Sequence, residues 1–173
     1  MDFLNSIKEL IPDYAKDIRL NIDGTIARSS LEGNDAVGVA LAAAFAAKCR
    51  PIIDAIAGSG ALSEEESKAA MTAAALMGMN NAWYPYVEMT EDHDLKTQPA
   101  QLRMNAYATN GGVDKRRFEM YALSASIIGK CHFCIKSHFD LLKKEGMSSQ
   151  QLRDVGRIAA VVNAASQVIA ASS

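Results

Sequence analysis

No strict alternation of apolar and polar positions runs along this chain far enough to suggest a sheet, and Ala, Leu, Met, Glu and Lys dominate it. The pattern predicts helices almost throughout. Asn34 precedes an Ala-rich apolar segment running to about Ala47. Pro51 suits the first turn of a short helix through about Ala57, and Gly58 and Gly60 end it. Ser63 with Glu66 forms a capping box and predicts a helix through about Met79, which Asn80 and Asn81 are expected to break or bend before Trp83-Tyr84-Pro85-Tyr86. Asp114 caps a predicted helix to about Ile128, with Gly129 as its stop. A further helix is expected from about His132 to Glu145, closed by Gly146. Ser148 with Gln151 opens the last one, ending near Ala170.

The two halves echo each other. Thirteen residues separate Cys49 from Ser63, and thirteen separate Cys134 from Ser148, an offset of 85 residues. Both serines follow a glycine-bearing turn and lead into an Ala-rich helix. We therefore expect one all-α domain over residues 1–173, built from a duplicated helical unit with halves near 30–85 and 112–171. Under this alignment Cys131 falls opposite Ala46 and His138 opposite Ile53, which puts the reactive residue types, and the expected active site, in the C-terminal half.

Charge and composition narrow the function. Eighteen Lys+Arg against twenty Asp+Glu give a formal charge of −2, which leaves no basic excess for nucleic acid. The N-terminal stretch Met1-Asp2-Phe3-Leu4-Asn5 does not read as a signal peptide, and charges interrupt every apolar stretch short of a membrane span. A cytoplasmic protein is the expectation.

Three cysteines carry the chemistry. Cys49 stands alone and reads as a buried small hydrophobe, whereas Cys131 and Cys134 form a Cys-x-x-Cys pair. Cys131 lies between a helix break and a new helix, beside Lys130, where the helix dipole favours a thiolate. Three residues of spacing let the pair close a disulfide within one turn. Cys134 and His138, four apart, share a helix face, so the imidazole can take the thiol proton. Glu119, on the preceding helix, can complete a carboxylate–imidazole–thiol relay if that helix folds back across the Gly129 turn. Two other readings of the residues stand beside this one: zinc held by Cys131, Cys134 and His138 with Glu119 or His132, and a chemically idle buried pair. A thioredoxin scaffold is disfavoured, since no βαβ context flanks the cysteines.

The pattern Glu119, Cys131-x-x-Cys134, His138 on a duplicated helical chain resembles the AhpD-like family, the alkyl hydroperoxide reductase D proteins within the carboxymuconolactone decarboxylase superfamily. The likeness extends through Leu10-Ile11-Pro12-Asp13-Tyr14-Ala15-Lys16-Asp17-Ile18, Met77-Gly78-Met79-Asn80-Asn81, Leu102-Arg103-Met104-Asn105 and Phe118-Glu119. It implies an AhpD-like helical fold and an antioxidant, lipoyl-dependent peroxidase, as a homotrimer. By that resemblance Cys134 is the thiol oxidised to sulfenic acid, and Cys131 is the proton donor and resolving thiol that closes the Cys131–Cys134 disulfide. Glu119 and His138 form the proton relay. The reductant is a dihydrolipoyl group on a 2-oxoacid dehydrogenase component, recharged by dihydrolipoamide dehydrogenase and NADH. A peroxiredoxin is a further expected partner through Cys131, and no tightly bound cofactor or metal is expected. Relatives often carry a histidine where this chain has Phe133. His132 stands one position earlier, as a possible but displaced participant. Cys131, at the helix start, is expected to be the more exposed thiol and to suit exchange with a bulky reductant. Trp83, Tyr84 and Tyr86 are candidates for an apolar entrance or for helix packing, and Lys130, Lys136, Lys143 and Lys144 for a basic surface.

Overall fold

The computed structural model describes residues 2–172; Met1 and Ser173, the ends of the expected domain, lie outside it. Among the described residues there are ten α-helices and no strand. These are α1 (Phe3–Glu9), α2 (Lys16–Ile22), α3 (Gly33–Ala46), α4 (Arg50–Ala57), α5 (Glu64–Thr90), α6 (His93–Thr97), α7 (Asn105–Ala108), α8 (Lys115–Gly129), α9 (His132–Lys144) and α10 (Ser149–Ala171). No helix among them is long and apolar enough to cross a membrane.

Helices α3 and α8 form the centre, packed against each other and against α5 and α10. Both are buried along most of their length, α3 from Asp35 to Ala44 and α8 from Phe118 to Ser126. Small residues make this possible. A Cβ on Gly38 of α3 would lie 2.4 Å from the ring of Tyr121 on α8, so only glycine lets these two helices approach this closely.

Polar ties then fix α8 against its neighbours. Ser124 Oγ donates to the Val39 carbonyl at 2.9 Å. Asn81 Nδ2 on α5 donates to the Ala125 carbonyl at 3.1 Å. Arg117 bridges Asp35 of α3 at 2.7 Å and Glu66 of α5 at 2.8 Å. Each tie gives a buried polar group a partner, which is the condition for carrying it inside a core.

Both capping boxes form, Ser63 with Glu66 at the head of α5 and Ser148 with Gln151 at the head of α10. Asp114 caps α8 through its side chain. Three sequence expectations need correction. Helix α5 does not stop near Met79 or break at Asn80-Asn81; it continues through Pro85 to Thr90. Proline in a helix interior costs about 3 kcal/mol. Two contacts hold the helix just ahead of the proline: Asn81 to α8, and Tyr84 stacked on Phe133 of α9 at 4.3 Å between ring centroids. Gly129 is not the left-handed stop of α8, because Lys130 takes that conformation at φ 55°. Glycine is needed at 129 because a Cβ there would lie 2.0 Å from Asn81 Nδ2. Finally, α1, α2, α6 and α7 have no counterpart in the predicted elements. The first is held by burial of Phe3, Leu4 and Ile7 against the bundle, a tertiary effect that overrides weak local signals.

Candidate active site

The Lys130 turn reverses the chain between α8 and α9, with Cys131 N–H bonded back to the Ser126 carbonyl at 3.3 Å. Cys131 is thereby the N-cap of α9, and its Sγ accepts the Cys134 N–H at 3.2 Å. Cys134 sits in the first turn of α9, so both sulfurs lie at the positive end of the helix dipole. They are joined as a disulfide, with Cα atoms 5.3 Å apart. Cys131 is not the more exposed of the two: it is 0% exposed and Cys134 3%. The cap position turns Cys131 inward against α5, where its Sγ lies 3.9 Å from the Asn80 carbonyl.

One turn further along α9, His138 is buried and its Nδ1 lies 2.6 Å from Glu119 Oε2 on α8. The other carboxylate oxygen, Oε1, accepts the hydroxyl of Tyr107 from α7. Burial works to raise the Glu119 carboxyl, but the bonds from His138 and Tyr107 outweigh it and hold the group below the usual carboxylate range. Burial, reinforced by the bond to Glu119, pushes the Tyr107 phenol upward and keeps it a donor. A carboxylate only accepts, so Nδ1 carries the ring hydrogen and Nε2 is left as the nitrogen that can take another proton. Nε2 lies 3.2 Å from the thioether sulfur of Met77.

A cavity of about 190 Å³ opens here, lined by Asn80 and Tyr84 of α5, Tyr107 of α7, and Cys134, Ser137 and His138 of α9. Cys134 faces it; Cys131 does not. The arrangement offers a dithiol/disulfide pair, an imidazole fixed in one tautomer and an ionised carboxylate behind it, which together can form and break S–S bonds and move one proton.

The remaining predicted residues lie elsewhere. His132 is exposed, its Nδ1 3.7 Å from Glu88. Cys49 is a free buried thiol at the N-cap of α4. The basic surface is partly neutralised, since Lys136 pairs with Asp140, while Lys143 donates to the Ser149 hydroxyl. Among the described residues no group of three or more His, Cys, Asp and Glu is arranged to hold a metal. Tyr107 and Ser137 were not singled out in the sequence, although Tyr107 follows the Met104-Asn105 stretch and Ser137 directly precedes His138. Met77 and Asn80 stood in the family-like stretch Met77-Gly78-Met79-Asn80-Asn81 without a site role.

Comparison with known proteins places this geometry in context. Residues 93–173 match the carboxymuconolactone decarboxylase family. The chain is 40% identical over 170 residues to the alkyl hydroperoxide reductase AhpD of Coxiella burnetii (strain RSA 493 / Nine Mile phase I), covering 95% of this chain and 96% of that one. It is 40% identical over 172 residues to the AhpD of Rhodospirillum centenum, covering 98% and 92% of the two. The AhpD of Hyphomonas neptunium is 42% identical over 172 residues, covering 98% and 95%.

Proposed function

Because this chain belongs to the alkyl hydroperoxide reductase AhpD family, we propose that it reduces alkyl hydroperoxides with the Cys131–Cys134 dithiol and is recharged by a dihydrolipoyl group. The observation that carries this reading is the placement of Cys134 and His138 on one cavity, with Glu119 bonded to the far side of the imidazole.

In the reduced enzyme His138 Nε2 takes the Cys134 proton. The thiolate attacks the terminal peroxide oxygen, so an S–O bond forms and the O–O bond breaks. The departing alkoxide leaves as the alcohol, protonated from Cys131 or the imidazolium, and Cys134 becomes a sulfenic acid. Cys131 thiolate then attacks Cys134 Sγ; the S–S bond forms and hydroxide departs with a proton as water. The peroxide gains two electrons and the two cysteines lose two. Glu119 stays ionised and holds Nδ1–H, so the imidazole keeps Nε2 toward the transferred proton.

Two thiols of a dihydrolipoyl group return the electrons by exchange, becoming the cyclic disulfide. In the disulfide state the sulfur facing the cavity is that of Cys134, so a thiol entering the cavity meets it first, whereas Cys131 is fully buried. Lipoyl-bearing 2-oxoacid dehydrogenase components with dihydrolipoamide dehydrogenase, and a peroxiredoxin taking electrons through Cys131, are the partners of this proposal. A cytoplasmic homotrimer built from duplicated halves is its setting.

The test is loss of tert-butyl hydroperoxide with purified protein and dihydrolipoamide as the only reductant. Turnover that depends on Cys134 supports the reading. Reduction that appears only after a peroxiredoxin is added would replace it with electron transfer to that partner.

A further inference from the structure

Beside the cavity runs a second, larger depression of about 580 Å³, between the last turns of α5, the short α6 and the start of α9. Trp83, Tyr84, Val87, Leu95 and Phe133 make it apolar, and Lys96 stands among them. Its volume falls within the range of small-molecule sites. Tyr84 and Phe133 line both spaces, so their stacked pair is the partition between groove and dithiol cavity. Phe133 is 55% exposed, so its ring is open to a molecule in the groove.

The inner cavity has the volume of about six waters. A peroxy group and a few carbons would fill it, and because Tyr84 and Phe133 line both spaces a longer chain can continue past the aromatic partition into the groove. There it meets apolar walls and one cation: the Lys96 ammonium enters no ion pair among the described residues. The groove's other charged group, Glu88, lies near the His132 imidazole at 3.7 Å. A neutral alkyl chain leaves Lys96 unused, and an amide-capped lipoyl arm brings no anion to it.

Resting on the peroxidase reading above, we infer that the groove seats the tail of a fatty-acid hydroperoxide, with the peroxy group at Cys134 and the carboxylate at Lys96. Each methylene that enters the groove then raises kcat/KM about fourfold until the groove is full.

The single tryptophan of the chain, Trp83, lines the groove and reports its occupancy without any turnover. Titration with an unreactive long-chain hydroxy fatty acid, below its micelle concentration, is expected to change Trp83 fluorescence saturably. Butyrate is expected to bind at least tenfold more weakly, a long-chain alcohol without the carboxylate about two- to fivefold more weakly, and Lys96→Glu, which replaces the attraction by repulsion, to weaken the acid by about tenfold. In turnover, Lys96→Glu and Val87→Asp are expected to lower the ratio of kcat/KM for a long-chain fatty-acid hydroperoxide over tert-butyl hydroperoxide by about tenfold. The inference is overturned by an absent Trp83 response to the acid, or by an equal fall for both peroxides. It is overturned too by a Trp83 signal that follows protein concentration alone, which assigns the groove to a second copy. A Lys96→Glu effect confined to the KM of dihydrolipoamide gives the groove to the reductant instead. Intact Trp83 binding with no peroxide turnover would sink the peroxidase reading alone.

Discussion

Glu119 Oε2 and His138 Nδ1, nineteen residues apart, meet at 2.6 Å inside the protein, on two helices that the Lys130 turn folds against each other. The contact fixes which imidazole nitrogen is free and leaves a buried carboxylate whose charge is compensated from both oxygens. Glu119→Gln is expected to keep the fold and to lower kcat/KM for tert-butyl hydroperoxide by about 10²-fold, the lower end of what general acid–base groups contribute. Equal activity in the variant and the parent would remove the carboxylate from the relay.

The same carboxylate makes a pH prediction. Its folded value lies below the ordinary range, so its contribution to stability is fully present above that range and is lost as pH falls through the depressed value. Urea midpoints of parent and Glu119→Gln are therefore expected to converge in acid and to separate above about pH 5. Convergence at high pH instead would reverse the sign.

The cysteines divide by chemistry. Cys134→Ser is expected to abolish peroxide loss, and Cys49→Ser, at a buried thiol outside the cavity, to leave it within about twofold. Cys131→Ser is expected to react once and stop at a sulfenic acid on Cys134, which mass spectrometry after trapping with a dione reads directly. A sulfenic acid on Cys131 in the Cys134→Ser protein, with turnover retained, would exchange the two roles.

Asp154 tests the scaffold away from the site. It accepts the Ser30 N–H at 2.9 Å and the Ser30 hydroxyl at 2.8 Å, and it pairs with Arg153 and Arg157. Burial opposes its charge, but these bonds together lower its pKa to about 2. The stabilisation is present above the ordinary carboxyl value and lost as pH falls from about 4 to about 2. Asp154→Asn is expected to cost about 2 kcal/mol at pH 7 and much less at pH 2.5, measured by urea unfolding at both.

Gly129 ties packing to chemistry. Gly129→Ala drives a Cβ to within 2.0 Å of Asn81 Nδ2 and threatens that amide's bond to Ala125. A loss of about 1–3 kcal/mol is expected. Activity is expected to fall more than the folded fraction does, since the α5–α8 contact sets the turn that carries Cys131. Thermal unfolding and kcat on the same samples separate the two effects.

Much of this protein was legible in its residues because the decisive signals are local. Two capping boxes placed the heads of α5 and α10, and Cys131, Cys134 and His138 lie within two turns of one helix, where spacing alone sets who shares a face. The length of α5 was not legible, since contacts from α8 and α9 carry it past Asn81 and Pro85 against local preference. Glycine at 129 looked like a stop and is in fact a point of close approach, a distinction that exists only once Asn81 is opposite it. Tyr107 reaches the Glu119 carboxylate and Met77 the imidazole from other helices, and the burial of Cys131 follows from its cap position against α5. The sequence by itself determined the helical class and the reactive residues, because both depend on neighbours within a turn or two. The tertiary structure alone decided which groups surround His138 and which sulfur meets the cavity, because those depend on how helices far apart along the chain pack.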